Sequence, residues 1–231
     1  MATTPRTAQS GRSGTAGGDQ TRQRLLRTAE SLIAERGLDS VSIRDITGAA
    51  EANSASIHYH FRSKEGLVKA ILADRAEDMS DRRRRHLESL GPAPTPHEVA
   101  SAMVAPTFEL VETELEEGAR SSAYVGFLAA LLDDPSLVPL ISEHFGDQYE
   151  HYLHALRRAR PDLNEEAAVN LISFALHLVL NAVSEPARGL RVWIETHHPE
   201  SVASIKNDLV EFLAAGFEAA SPRMTGTEAR P

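Results

Sequence analysis

The chain contains no cysteine, which excludes disulfides, thiolate metal sites and a cysteine nucleophile. No apolar run approaches the ~18 residues that a membrane-spanning helix needs. The N-terminal MATTPRTAQSGRSGTAGGD has no apolar core segment of the kind a secretory signal carries. There is no glycine-rich phosphate loop, no Gly-x-Ser-x-Gly elbow and no pair of carboxylates at a clear catalytic spacing. No catalytic residue, cofactor or metal site is therefore assigned. Strand-like alternation is almost missing as well. These absences leave an all-α chain with an expected cytoplasmic location. Its 231 residues, 42% apolar and 25% charged, are enough to bury a substantial core.

The net charge of −9 is unevenly spread. Residues 1–91 hold 15 Lys and Arg against 12 Asp and Glu, whereas the rest hold 9 against 21. Such asymmetry suggests a DNA- or membrane-facing part joined to an acidic part. Residues 1–20 are rich in Gly, Ser, Thr and Ala without periodicity and read as a disordered tail. Arg6 and Arg12 would suit an arm reaching into a minor groove, although an inert tail is the simpler reading. From Thr21, Leu25, Leu26, Ala29, Leu32 and Ile33 form a helical stripe that Gly37 stops. Ser42-Ile-Arg-Asp45 fits a capping box opening a second, short helix. Asn53 is a good cap for a third, over 54–62, with Ile57 and Phe61 facing inward. Ser63 caps a fourth, over 64–90. Gly91-Pro-Ala-Pro-Thr-Pro96 is a break, beyond which helices are expected at 97–117, 120–132, 136–159, 165–184 and 200–219.

Two short helices joined by a tight turn and braced by a longer one make a helix-turn-helix, whose second short helix enters the DNA major groove. Small residues at Ser54, Ala55 and Ser56 allow close approach to the bases. Tyr59, His58 and His60 offer flat contacts and hydrogen bonds, and Lys64 suits a phosphate. Residues 21–72, with their Leu-Leu…Ala…Leu-Ile first helix, "VSIRDI" and "IHYHFRSKEGL", resemble the DNA-binding domain of the TetR family of bacterial regulators. The resemblance implies Ser42 and Arg44 near the DNA backbone, Ser54, Ala55, His58, Tyr59 and His60 on the recognition helix, and Lys64 on a phosphate. Glu51 stands where that family usually turns on glycine, Asn53 replaces a common Ser or Thr cap, and His58 replaces a frequent tyrosine.

The resemblance further implies a connecting helix over 73–90 and a helical domain over 97–220 that dimerises and holds a small effector, followed by a disordered tail over 221–231. Two stretches rich in small and apolar residues, EEAAVNLISFALHLVLNAVSE and SVASIKNDLVEFLAAGFEAA, would leave apolar faces exposed in a monomer, which suits a homodimer. A two-fold dimer in turn implies a palindromic double-stranded operator. Phe108, Tyr124, Phe127, Leu128, Phe145, Tyr149, Tyr152, Phe174 and His177 are expected to line an apolar effector pocket with a few polar tips. The expected activity is that of a repressor released by its effector. The alternatives are a metal-dependent enzyme built on His144, His151 and His154, and a structural dimer with a vestigial DNA-binding unit. Arg82 to Arg85 read as a solvated face paired with the acidic part, and His197-His198 as a loop.

Overall fold

The computed structural model describes residues 13–116, 122–132, 134–184 and 202–221. The described residues form helices and connecting turns with no strand. Four helices make up the N-terminal part: α1 (Ser13–Arg36), α2 (Ile43–Ala49), α3 (Ser54–His60) and α4 (Lys64–Glu88). The body follows with α5 (Pro96–Glu116), α6 (Ala123–Leu132), a 3-10 turn (Pro135–Leu137), α7 (Val138–Ala159), α8 (Glu165–Val183) and α9 (Val202–Ala219). The Arg6–Arg12 arm, the His197-His198 pair and the tail beyond residue 221 lie outside the described residues.

Local chemistry fixes the helix ends. Ser42 and Asp45 form a reciprocal capping box, and hydrogen bonding to Ser42 holds the Asp45 carboxyl below its usual range. Asn53, Ser63 and Asn164 each accept a backbone N–H from the first turn of α3, α4 and α8. Thr95 and Glu98 make a second box around Pro96, the first residue of α5. The C-terminal carbonyls of α9 receive the Arg160 guanidinium, which donates to Phe217, Glu218 and Ala220. One boundary differs from expectation. α1 begins at Ser13, inside the stretch read as a disordered tail. Once the stripe from Leu25 onward is packed, each further residue adds a helical hydrogen bond without needing an apolar face.

Two apolar cores fill the molecule, and they do not divide at the proline-rich break. The first joins α1–α4 to residues of α5, α6 and α7, and reaches Leu180 of α8. The second lies among α5, α7, α8 and α9. α6 packs directly on α1, where a Cβ on Gly126 would lie 2.9 Å from the Ala34 Cβ, so only glycine allows this approach. Inside α5, Pro106 has no N–H to give the Ala102 carbonyl. The Tyr152 hydroxyl from α7 donates to that carbonyl instead, at 3.2 Å.

At the junction of α1, α4, α5 and α6, Arg75 lies 3.5 Å from Glu30 and 3.4 Å from Glu114, with its guanidinium over the Tyr124 ring. Burial pushes the Glu30 carboxyl from an ordinary 4.5 up to about 7; the Glu114 and Asp74 charges add to the rise, and Arg75 opposes it. A folded-state pKa above the unfolded one favours folding fully below pH ~4.5, and that contribution is lost as pH rises through ~7. Wild-type stability should thus fall between pH 5 and 8 by up to ~3 kcal/mol from this group. Urea titrations of Glu30→Gln should show a flatter pH dependence and higher stability than wild type at pH 8. Parallel curves for the two proteins would contradict the assignment.

Candidate nucleic-acid interface

The helix-turn-helix is assembled from the side of α1. Arg24 Nε donates to the Ala50 carbonyl at 2.7 Å and closes the end of α2, while Arg22 lies 5.7 Å from the centre of the Phe61 ring. The turn between α2 and α3 passes through Glu51 at φ +48°, the left-handed region expected of the glycine it replaces. Asn53 then starts α3. Ile57 is fully buried and Phe61 nearly so, which fixes the rotation of the helix. Ser54, Ala55 and His58 face outward, and Tyr59 is 84% exposed. His60 is half-buried, edge-on to Tyr59 at 4.8 Å. α3 stops at His60, short of the expected 62, because Arg62 takes φ +69° and its N–H returns to the Ile57 carbonyl. The next turn folds back so tightly that a Cβ on Gly66 would come within 2.0 Å of the Phe61 carbonyl oxygen.

The flanking residues are less free than their sequence positions suggest. Ser42 Oγ donates to Asp45 Oδ2 at 2.5 Å, so its hydroxyl is engaged in the cap, whereas Arg44 is exposed. Lys64 Nζ donates to the Leu38 carbonyl at 2.5 Å and so braces the α1–α2 loop. His58 Nδ1 lies 3.1 Å from the Arg62 carbonyl. No sequence signal pointed to the Lys64–Leu38 bond, because its partner is a main-chain atom 26 positions away.

The nine residues expected around an effector do not share one lining. Phe108 and Tyr152 belong to the second core, and Tyr124, Phe127, Leu128 and Phe145 to the first. Tyr149 ties α7 to α8 through the Val169 carbonyl and the Ser173 hydroxyl. Phe174, 63% exposed, and His177 point outward from α8 and are corrected from pocket lining to surface. Their helix packs inward through Ala168, Ile172, Ala175 and Val179, and helical spacing puts 174 and 177 on the opposite side. Two clefts open on the surface, one along α1 from Asp19 to Thr28 and one between α4 and the start of α7; none of the nine residues lines either.

His144 Nδ1 lies 3.0 Å from the Leu140 carbonyl, and His151 and His154 are exposed; no group of three His, Asp or Glu side chains among the described residues is placed to hold an ion. In the basic run, Arg82, Arg85 and His86 meet Glu109 of α5, and Arg84 pairs with Asp81. Arg83 departs from the solvated reading, being only 8% exposed. Its spacing of four from Met79 and from Leu87 was the available signal.

Glu51→Gly should relieve the left-handed strain, offset partly by the added entropy of the unfolded chain, for a net gain of ~0.5 kcal/mol. A calorimetric Tm about 1–2 °C above wild type is expected, and an unchanged or lower Tm would place the strain elsewhere.

Two family models match the chain. "Bacterial regulatory proteins, tetR family" covers residues 25–71, and "Tetracyclin repressor-like, C-terminal domain" covers residues 101–216. Among curated proteins, the HTH-type transcriptional repressor KstR2 of Mycolicibacterium smegmatis is 33% identical over 91 residues, which is 39% of this chain and 43% of that protein. The HTH-type transcriptional regulator UidR of Escherichia coli K12 is 31% identical over 70 residues, 30% of this chain and 36% of that protein. The matches thus span about two fifths of the length of these relatives. Among solved structures, KstR2 of Mycobacterium tuberculosis superposes with a TM-score of 0.56 at 21% identity, over 91% of this chain and 98% of that one. A transcriptional regulator from Aquifex aeolicus VF5 gives 0.54 at 19%, over 84% and 97%. At these identities the structural likeness is one of fold. The second family model alone takes in half of the sequence, and with the first it runs from the helix-turn-helix through the body: the chain belongs to the TetR family of bacterial regulatory proteins.

Proposed function

We propose that the protein is a transcriptional repressor that binds a palindromic operator as a homodimer and releases it when a small effector binds. The observation that carries this reading is the outward face of α3. A tyrosine 84% exposed, beside His58, Ser54 and Ala55, lies outside the core and meets the His60 ring edge-on, while Ile57 and Phe61 anchor the opposite face. Such a helix presents its N-terminal residues to base edges in a major groove. Lys64 keeps further N–H donors for a phosphate beyond the one spent on Leu38. The match of residues 25–71 to the tetR family model, which takes in this helix, and the likeness to KstR2, a repressor by name, support the reading.

The dimer rests on α8 and α9. Among the described residues, α8 is the one helix long and apolar enough to cross a membrane. Among the described residues one of its sides is packed, while Phe174 and Leu178 lie exposed, and α9 adds Phe212 at 65% exposed. A second copy covering these side chains accounts for that apolarity. Two-fold symmetry would place the recognition helices one helical turn of DNA apart, ~34–36 Å, or a multiple of it. α4 starts beside α3 and packs on α1, α5 and α7, so a small apolar or amphipathic effector that distinguishes two arrangements of the body would change the spacing of the α3 helices.

Selection of genomic fragments on the full chain should recover a palindrome. Lys64→Ala should weaken binding to all sequences and lower the salt slope by ~1, whereas Tyr59→Ala should cost about 1–3 kcal/mol of discrimination at the bases it meets. Loss of neither property would remove α3 as the reading element. In light scattering, Phe174→Asp combined with Phe212→Asp should shift the protein from dimer to monomer; a dimer that survives both would place the interface elsewhere.

A further inference from the structure

Arg83 is largely covered, 8% exposed, and has no counter-charge among the described residues. It forms no ion pair or hydrogen bond among the described residues, and its guanidinium rests 4.9 Å from the centre of the Phe145 ring. The three arginines beside it in sequence are all matched with carboxylates. Its stem is covered while its nitrogens keep an edge to solvent, and a largely covered guanidinium with no protein carboxylate suits an anion that can enter. Two polar atoms nearby are fully buried with no partner among the described residues: the Tyr124 hydroxyl on α6 and Gln148 Oε1 on α7. Gln148 follows Phe145 by one helical turn, and its amide donates to Ser80, one turn before Arg83 on α4. The Arg83 charge acts on the hydroxyls of both Tyr124 and Tyr152. Tyr152 is committed to the Ala102 carbonyl, which leaves Tyr124 as the donor without a partner.

We infer that Arg83 and Tyr124 hold the carboxylate of a small amphipathic acid, whose apolar part lies against Phe145 and Phe127. This rests on the effector reading above and narrows its chemistry. A guanidinium gives a carboxylate two parallel N–H bonds, and burial keeps the Tyr124 hydroxyl protonated as a third donor. Gln148 Oε1, an acceptor, suits a hydroxyl or amide N–H on the same molecule. The site also sits on the helix that reaches the DNA-binding unit: Arg83 and Lys64 are both on α4, ~28 Å apart along its axis.

The test uses the full chain with straight-chain carboxylic acids from butyrate to myristate and a set of arylalkanoic acids, each beside its alcohol and primary amide. Thermal shift and calorimetry are read on wild type, Arg83→Gln, Arg83→Lys and Tyr124→Phe, together with release of the recovered operator. Acids should bind wild type at least ~10-fold more tightly than the matched neutral compounds. Tyr124→Phe should shrink that preference, Arg83→Lys should keep part of it, and Arg83→Gln should abolish it. Without ligand, Arg83→Gln should melt within about 2 °C of wild type, because no ion pair or hydrogen bond among the described residues is lost; an arginine that holds the fold would give a clear drop. Neutral compounds that match the acids, an acid preference that survives in Arg83→Gln, or a Tm lower by more than about 2 °C for that variant would overturn the assignment. Operator release by neutral compounds alone would leave the effector reading standing and remove the carboxylate. If no compound of either kind bound or released DNA, both would fall.

Discussion

The close crossing of α1 and α6 joins the helix-turn-helix to the rest of the molecule. With no side chain on Gly126, the two helices meet at Ala34, and the apolar core of the N-terminal part continues without a break into α5, α6 and α7. A core shared in this way transmits displacement, because close-packed side chains have few alternative arrangements and little free volume. The proline-rich segment after α4 interrupts the chain but not the packing. The N-terminal part is therefore attached to the body along a surface, and a tether alone would hold it far less firmly.

Around that crossing the charges are sorted by how they are neutralised. On the outer face of α4, Arg82, Arg84, Arg85 and His86 meet carboxylates in partly or largely exposed pairs, each of small energetic value. Inside, Arg75 is shared between Glu30 and Glu114, and one Glu114 oxygen stays buried with no partner. Well-packed apolar residues would fill such an interior at lower cost, so polar groups kept there are the places where the fold gives up stability for another end.

Sequence reasoning was strongest wherever a local rule decides the outcome. Ser42, Asn53, Ser63, Gly37 and Pro96 mark helix ends because their side chains or backbone angles act on residues within one turn. The spacing of Ile57 and Phe61 similarly fixes which way α3 faces, so the exposed Tyr59 follows from the pattern. Apart from the helix ends at Ser13 and His60, the differences are tertiary. α8 is apolar on two sides, and nothing in its sequence says that Ala168, Ile172, Ala175 and Val179 win the interior while Phe174 and His177 do not. Lys64, expected on a phosphate, is also a brace for a distant carbonyl. Tyr152, expected at a ligand, is engaged with a backbone group. Arg83 was read with its charged neighbours, although its spacing from Met79 and Leu87 places it on the inner stripe.

The bond from Tyr152 to Ala102 has a consequence for how the body moves. A proline within a helix usually creates a point of compliance, since the carbonyl one turn earlier is released and the axis bends easily there. Here that carbonyl is taken up by a side chain from α7, so the weak point of α5 is splinted to its neighbour. The bond ties α5 to α7 at the place where a proline-containing helix bends most easily, so a change of angle at Pro106 would have to break it or carry α7 along.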